Sequence, residues 1–384
     1  MPWVLPSRRS RPFEAGAQGR RPIQIAIQKI IQTCTARSKN LLETKMKTII
    51  RTTTVLAALL GTAFPAHAEK VTLTFADWQI PTASTTREGA GVFMDKAREL
   101  SNGEIDFKYF PAEQLGKAGE MVRLAQTGVA DIVNLAPAYV TDRFPLTTVS
   151  ELPGLPLDIC KLTSAIYDMA QPGGALYEAE FKPNGMRLLF SGNLGPYSLL
   201  TTKVAVDSLD KLSGLKIRTA GGPMEMSAKE LGANPIRMTG SETLPSLSRG
   251  TLDGLLWPIP LVKDWSLQDP LNHMTPNVSV GSFAVTYSIS ERVWEKLSPE
   301  HQKVLIEAGK FASESYCDFV NRTWEEAKND LAENHGITPT DLPESEVAKT
   351  KERFDSVHQK WLSGLKSRGP AQAIHEEFMK RVGS

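Results

Sequence analysis

The chain is poor in the residues that most often carry chemistry. Its 384 residues include only three cysteines and six histidines. Cys34, Cys160 and Cys317 are far apart, so there is no C-x-x-C pair, and neither H-E-x-x-H nor G-x-S-x-G occurs. These absences remove the common signatures of thiol redox, zinc hydrolysis and serine-elbow hydrolysis. Gly89-Ala90-Gly91 lacks the third glycine of a dinucleotide loop and lies inside a helical pattern. No Walker lysine loop is present. Carboxylates are abundant, but none pair at a spacing that singles out acid–base work. His67 falls early in the chain. His301, His335, His358 and His375 are read as lying on exposed helices or turns. No metal ligand set and no cofactor are therefore expected. A net charge of +1 gives no reason to expect nucleic acid as a partner.

Long apolar runs are missing as well. Nothing after residue 68 approaches about 18 uninterrupted apolar residues, the length of a membrane span. The near-zero charge hides a division. Of 44 basic and 43 acidic side chains, 11 and 2 fall in residues 1–68; residues 69–384 hold 33 and 41, a net of −8. Within the basic part, Met46-Lys47-Thr48-Ile49-Ile50-Arg51 precedes a largely apolar stretch from Thr52 to Phe64, and Ala66-His67-Ala68 follows. Positive, apolar and small, in that order, is a secretory signal peptide, here 46–68 with cleavage expected after Ala68. Residues 1–45 are read as an over-long start or a disordered extension. Export would place the body in an oxidising compartment. There Cys160 and Cys317 can pair, although two distant cysteines are as often two buried thiols.

The body alternates strand and helix. Val71, Leu73 and Phe75 alternate as a strand. Ser84/Thr85 opens a helix with Ala90, Phe93, Met94, Ala97 and Leu100 on one face. Ile105–Tyr109 and Asp131–Leu135 read as further strands, with a helix stopped by Gly128 between them. Strands follow at Met186–Phe190 and Tyr197–Thr202, then a second β-α-β series over Leu215–Trp257. Val278–Ile289 reads as one long strand. Ser298-Pro299-Glu300 starts a helix that runs to about Glu333, with Gly309 and Asn321 as weak points. Helices near Glu344–Leu365 and Ala371–Val382 complete the chain. Repeated β-α-β units predict an α/β protein with mostly parallel sheets. The expected organisation is a first domain over 69–192, a second over 193–280, a return to the first over 281–320, and helices packing on both over 321–384.

One stretch is specific. Leu212-Ser213-Gly214-Leu215-Lys216-Ile217-Arg218 is followed by Leu231-Gly232-Ala233-Asn234-Pro235. Then comes Ser241-Glu242-Thr243-Leu244-Pro245-Ser246-Leu247-Ser248-Arg249-Gly250-Thr251-Leu252-Asp253-Gly254. Upstream, Leu100-Ser101-Asn102-Gly103, Phe110-Pro111-Ala112-Glu113-Gln114-Leu115-Gly116 and Gly128-Val129-Ala130-Asp131-Ile132 keep a compatible order. This resembles the DctP-type solute-binding proteins of tripartite ATP-independent periplasmic (TRAP) transporters over about residues 70–330. The resemblance implies a two-domain, type II-like periplasmic binding fold with a ligand cleft between the domains and a long C-terminal helix spanning both. It implies capture of a small organic acid by hinge closure, and delivery to the small and large membrane subunits of a permease.

By the same resemblance, Arg218 falls on the family's carboxylate-binding arginine. Its planar fork matches a carboxylate as a lysine point charge does not. The sialic-acid branch of the family has polar groups where this chain has others. A second arginine is replaced near Tyr197-Ser198, an asparagine by Trp78, and a glutamate by Ala136, close to Tyr139. An aromatic is replaced near Gly240, and an asparagine in the turn holding Trp257. These residues are expected to line the ligand site, with Gly240 opening space and Trp78 and Trp257 as flat walls. A carboxylate with an apolar or aromatic body would suit them, whereas a polyhydroxylated acid would leave hydroxyls unpaired. Leu256 stands where the keto-acid branch has a cation-binding glutamate, so no metal is carried over. Trp265, Trp294, Trp324 and Trp361 are read as structural. The alternatives are an ATP-driven importer's receptor, a ligand sensor and, least favoured, a periplasmic enzyme.

Overall fold

The computed structural model describes residues 70–383. The expected signal peptide and the stretch before it lie outside the described residues. Among the described residues, eleven strands form two sheets. In the first, β2 (Ile105–Phe110), β1 (Val71–Ala76), β3 (Ile132–Leu135), β10 (Ala284–Ser290) and β4 (Met186–Asn193) lie side by side in that order. In the second the order is β11 (Thr338–Pro339), β9 (His273–Thr275), β5 (Tyr197–Thr201), β8 (Gly254–Pro258), β6 (Lys216–Thr219) and β7 (Asn234–Arg237).

The sheets are mixed, not mostly parallel. β1 runs parallel to β2 and β3, and β6 parallel to β7 and β8. β10 is antiparallel to both its neighbours, and so is β5. The reason is topological. These are the two strands entered directly after the chain passes from one sheet to the other, without a helical crossover to turn them parallel.

The passages occupy residues 194–196 and 276–283. They pair with each other: Leu194 N–H donates to Phe283 O, Tyr197 N–H to Gly281 O and Val280 N–H to Tyr197 O, each at 2.9 Å. The expected long strand Val278–Ile289 is thus two pieces. Gly281 divides them at φ 132°, a conformation that disfavours side chains, and its missing Cβ would lie 2.6 Å from the Glu151 carbonyl oxygen.

Helices α1 (Val92–Leu100), α2 (Met121–Thr127) and α3 (Ile159–Met169) pack with the first sheet's lobe. α1 buries Phe93, Met94 and Ala97, as its pattern predicts. A wider helical segment, Thr86–Gly91, leads into it. Gly128 ends α2 in the left-handed region. The second lobe carries α4 (Gly222–Glu230) and α5 (Gly240–Ser248). A short helix α6 (Glu291–Trp294) precedes α7 (Pro299–His335), which runs unbroken through Gly309 and Asn321. α7 packs on α1, α3 and β4 and also on the Ile259–Leu261 turn of the second lobe. Lys263 pairs with its Asp330 at 2.8 Å. α8 (Glu344–Gly364) packs on α4, and α9 (Ala371–Val382) on α3. No helix of the described residues is long and apolar enough to cross a membrane.

One open reading is resolved and another changes. Cys160 on α3 and Cys317 on α7 form a disulfide, with Cα atoms 4.9 Å apart, that fastens α7 to the first lobe. The late histidines are not all exposed: His301 is 4% accessible. His358 Nδ1 lies 2.9 Å from His375 Nε2, joining α8 to α9.

Candidate functional site

The site forms where strand ends from both sheets meet. In open α/β sheets, ligands bind beyond the carboxyl ends of the strands, because loops there are free to vary over a rigid frame. Trp78 follows β1, Tyr139 follows β3, Arg218 sits near the end of β6, Gly240 follows β7 and Trp257 lies at the end of β8. Together with Gln79, Leu194, Tyr197, Leu261, Trp265 and Phe283 they line a nearly filled cavity with an open volume of about 10 Å³. This is smaller than the several hundred Å³ typical of drug-sized pockets.

Arg218 is the chemical centre. Ile217 and Arg218 are both buried within β6, but alternation sends their side chains to opposite faces. Arg218 is only 1% accessible. Its Nη2 donates to the Tyr139 hydroxyl at 3.2 Å and to the Met238 carbonyl at 3.0 Å. Its Cζ stands 4.8 Å from the Trp257 ring centre. Nε and Nη1 are buried without a hydrogen-bond partner. The indole N–H groups of Trp78 and Trp257 are in the same condition. A buried unsatisfied donor costs about 1–3 kcal/mol, more when charged. The wall therefore offers donors and calls for a ligand that supplies acceptors.

Aromatic rings complete the wall. Tyr139 meets Trp78 edge-on at 5.5 Å and Phe283 at 5.2 Å. Phe283 stacks with Tyr197 at 6.2 Å. Burial pushes the Tyr139 hydroxyl above its usual range, with the nearby Arg218 acting against this. Beneath Trp78, the buried Asp77 carboxylate accepts from Gln79 N–H (2.9 Å), Asn134 Nδ2 (2.7 Å) and the Tyr109 hydroxyl (2.9 Å). Burial raises its pKa to about 6. Asp77 thereby fixes the loop that carries Trp78.

Of the residues expected from sequence, Arg218, Trp78, Trp257, Tyr139, Tyr197 and Gly240 come together here. Ser198 does not. Alternation along β5 turns it away from Tyr197, and it lines a separate cavity with Pro196 and Trp324. Ala136 is buried one layer back, where its carbonyl accepts from Tyr139 N–H at 3.0 Å and shapes the turn. Two expectations need correction. Trp265 is a wall of the site, stacked on Trp78 at 6.4 Å and meeting Trp257 at 5.8 Å. Gly240 does not open space for a ligand: a Cβ there would lie 3.1 Å from the Trp265 ring, which fills that room. Phe283, which sequence reasoning missed, lay inside the supposed long strand.

Several contacts join the lobes around the site. Tyr139 Oη, from the first lobe, accepts from Gly240 N–H at 3.2 Å in the second. Arg237 Nη2 donates to the Ala138 carbonyl at 3.1 Å. The Asp264 carboxylate, beside Trp265, accepts from Ser84 N–H at 2.7 Å and from its hydroxyl. Ser84 begins the helical segment leading to α1, so Asp264 caps it from the opposite lobe. Charge-assisted bonds of this kind contribute about 1.5–3 kcal/mol. Asp264→Ala is expected to weaken ligand binding by about tenfold or more, chiefly through faster dissociation, with far-UV circular dichroism unchanged. An unaltered dissociation rate in stopped-flow fluorescence would show that the contact does not hold the lobes closed.

Comparison with known proteins agrees with this architecture. A profile of bacterial extracellular solute-binding protein, family 7 (DctP), matches residues 77–380. The chain is 27% identical over 224 residues to the 2,3-diketo-L-gulonate-binding periplasmic protein YiaO of Escherichia coli, covering 57% of this chain and 66% of that one. A marine metagenome TRAP solute-binding protein specific for aromatic acids, solved with metahydroxyphenylacetate, superposes with a TM-score of 0.75 at 22% identity, covering 82% of this chain and 98% of that one. A Bordetella bronchiseptica TRAP periplasmic protein with bound mandelate gives 0.74 at 24% identity, covering 82% and 99%. The chain belongs to the DctP family, the solute-binding proteins of TRAP transporters.

Proposed function

We propose that this chain is the periplasmic receptor of a TRAP transporter. It captures a small carboxylate with a compact aromatic or apolar body and delivers it to the small and large membrane subunits of a permease. The supporting observation is Arg218, buried with Nε and Nη1 unpartnered beneath a ring of aromatic side chains. A carboxylate supplies acceptor oxygens for these free donors, and the indole N–H groups of Trp78 and Trp257 take a further acceptor. A polyhydroxylated acid would bring hydroxyl donors to a wall already rich in donors. The metagenome and Bordetella relatives were solved with aromatic acids, which supports the same ligand class here. Walls from both lobes make binding and closure one event, since contacts exist on both sides only when the lobes meet. The disulfide between Cys160 and Cys317 is consistent with an exported protein.

A thermal-shift screen tests the reading with benzoate and mandelate beside keto acids, dicarboxylates and sugar acids. A bound acid at about 100 times its Kd adds about 2.7 kcal/mol to stability. The melting temperature is therefore expected to rise by several degrees with single-ring aromatic acids. Stabilisation by sugar acids alone would reject the ligand class.

A further inference from the structure

Glu151 takes no part in the ligand wall, yet it is only 1% accessible and sits where both lobes and the passage between them meet. It ends the short helical turn Thr147–Glu151. Its Oε1 accepts from Ala284 N–H at 3.2 Å, and the backbone N–H of Ala138 lies near the same carboxyl. Ala138 is in the turn that presents Tyr139, and Ala284 directly follows Phe283. These two rings touch each other and line the site. Across the interface, a Cβ on Gly222, at the start of α4, would lie 3.6 Å from Glu151 Oε2. The turn that ends at Glu151 packs on α4 of the opposite lobe, so one carboxyl sits among the turn carrying one ring, the strand carrying another and the far lobe.

We propose that Glu151 is the positioning residue of the site, its carboxyl fixing Tyr139 and Phe283 relative to each other and to the closing lobe. The inference rests on the carboxylate-receptor reading for its ligand consequences, and on geometry alone for the rest. Burial pushes the Glu151 carboxyl up to about 8, against the pull of its two backbone donors. The groups facing it are the Tyr139 and Tyr197 hydroxyls, which its charge would push further up. Beyond them lie Arg218, Arg237 on the Ala138 carbonyl, and Glu225 in the first turn of α4. The sign follows from linkage. A carboxyl raised in the folded state contributes stability that is fully present below its unfolded value near 4.5 and is lost as pH rises through about 8. Above that pH a negative charge appears behind the anion site.

The test compares wild type with Glu151→Gln and Glu151→Val between pH 7 and 9, by near-ultraviolet circular dichroism, thermal melting and titration with benzoate. In wild type, the aromatic dichroism is expected to change as pH passes about 8, the melting temperature to fall up to about pH 8 and level off above it, and benzoate affinity to fall by about tenfold. Glu151→Gln keeps an acceptor oxygen but cannot ionise. It should retain the neutral-pH dichroism and affinity and lose the pH dependence. Glu151→Val should lose the aromatic signal at every pH. A glutamine variant that titrates like wild type, or a wild type flat in dichroism and melting across this range, overturns the proposal. Failure of benzoate to bind any of the proteins counts against the ligand class, while dichroism and melting still judge Glu151.

Discussion

Arg218→Lys is expected to weaken ligand binding by about a hundredfold or more, because lysine loses directed charge-assisted hydrogen bonds worth about 1.5–3 kcal/mol each. The charge survives this substitution, so the effect isolates geometry. Lysine cannot supply donors in the fixed directions of Nε and Nη1, nor hold the Tyr139 hydroxyl and the Met238 carbonyl at the same time. Arg218→Met gives the complementary result. It removes a buried charge that has no acidic partner among the described residues, and an unpaired buried charge costs the fold its hydration. The ligand-free methionine variant should therefore melt at or above the wild-type temperature while binding nothing. Calorimetric titration and thermal melting decide together. Near-wild-type affinity in either variant would remove Arg218 from the centre of the site.

Gly309→Ala is expected to destabilise the protein by about 3 kcal/mol, at the upper end of ordinary overpacking. On helix propensity alone the same change would stabilise by about 1 kcal/mol. The structure decides which effect wins. A Cβ at Gly309 would lie 2.1 Å from the Leu189 carbonyl oxygen on β4, and backbone cannot step aside as a flexible side chain can. α7 rests directly on the sheet at this point, so inserting one carbon must separate them. Gly309→Val should be more severe and prevent recovery of folded protein. A rise in melting temperature for the alanine variant would show that the helix and strand are not held at this distance.

Gly309 also illustrates what could be read from the chain. As a letter in a helical run it suggested weakness; its use is close approach, which depends on a strand far away in sequence. Arg218 was legible because its neighbours form a motif, and Trp78, Tyr139, Tyr197, Gly240 and Trp257 were legible by their offsets from such motifs. Trp265 was not, because it sits between regular elements with no period or motif around it, and its partner Trp78 belongs to the other lobe. Phe283 was hidden because the alternation of Phe283, Val285, Tyr287 and Ile289 follows that of Val278 and Val280 with only a change of phase at Gly281, where the backbone changes sheets. Strand and helix positions followed from local pattern. The reversed directions of β5 and β10 did not, because direction is set by where the chain crosses, and crossing leaves no local signature.

The paired passages at 194–197 and 280–283 have a consequence for how such a molecule can be divided. Neither lobe is a continuous stretch of chain. The first draws β10 from beyond the second, and the second takes β11 from beyond α7. No single truncation therefore yields an isolated lobe, and a protease cut through one passage leaves the halves joined by the other. The two halves of the binding surface must be inherited, folded and degraded as one piece.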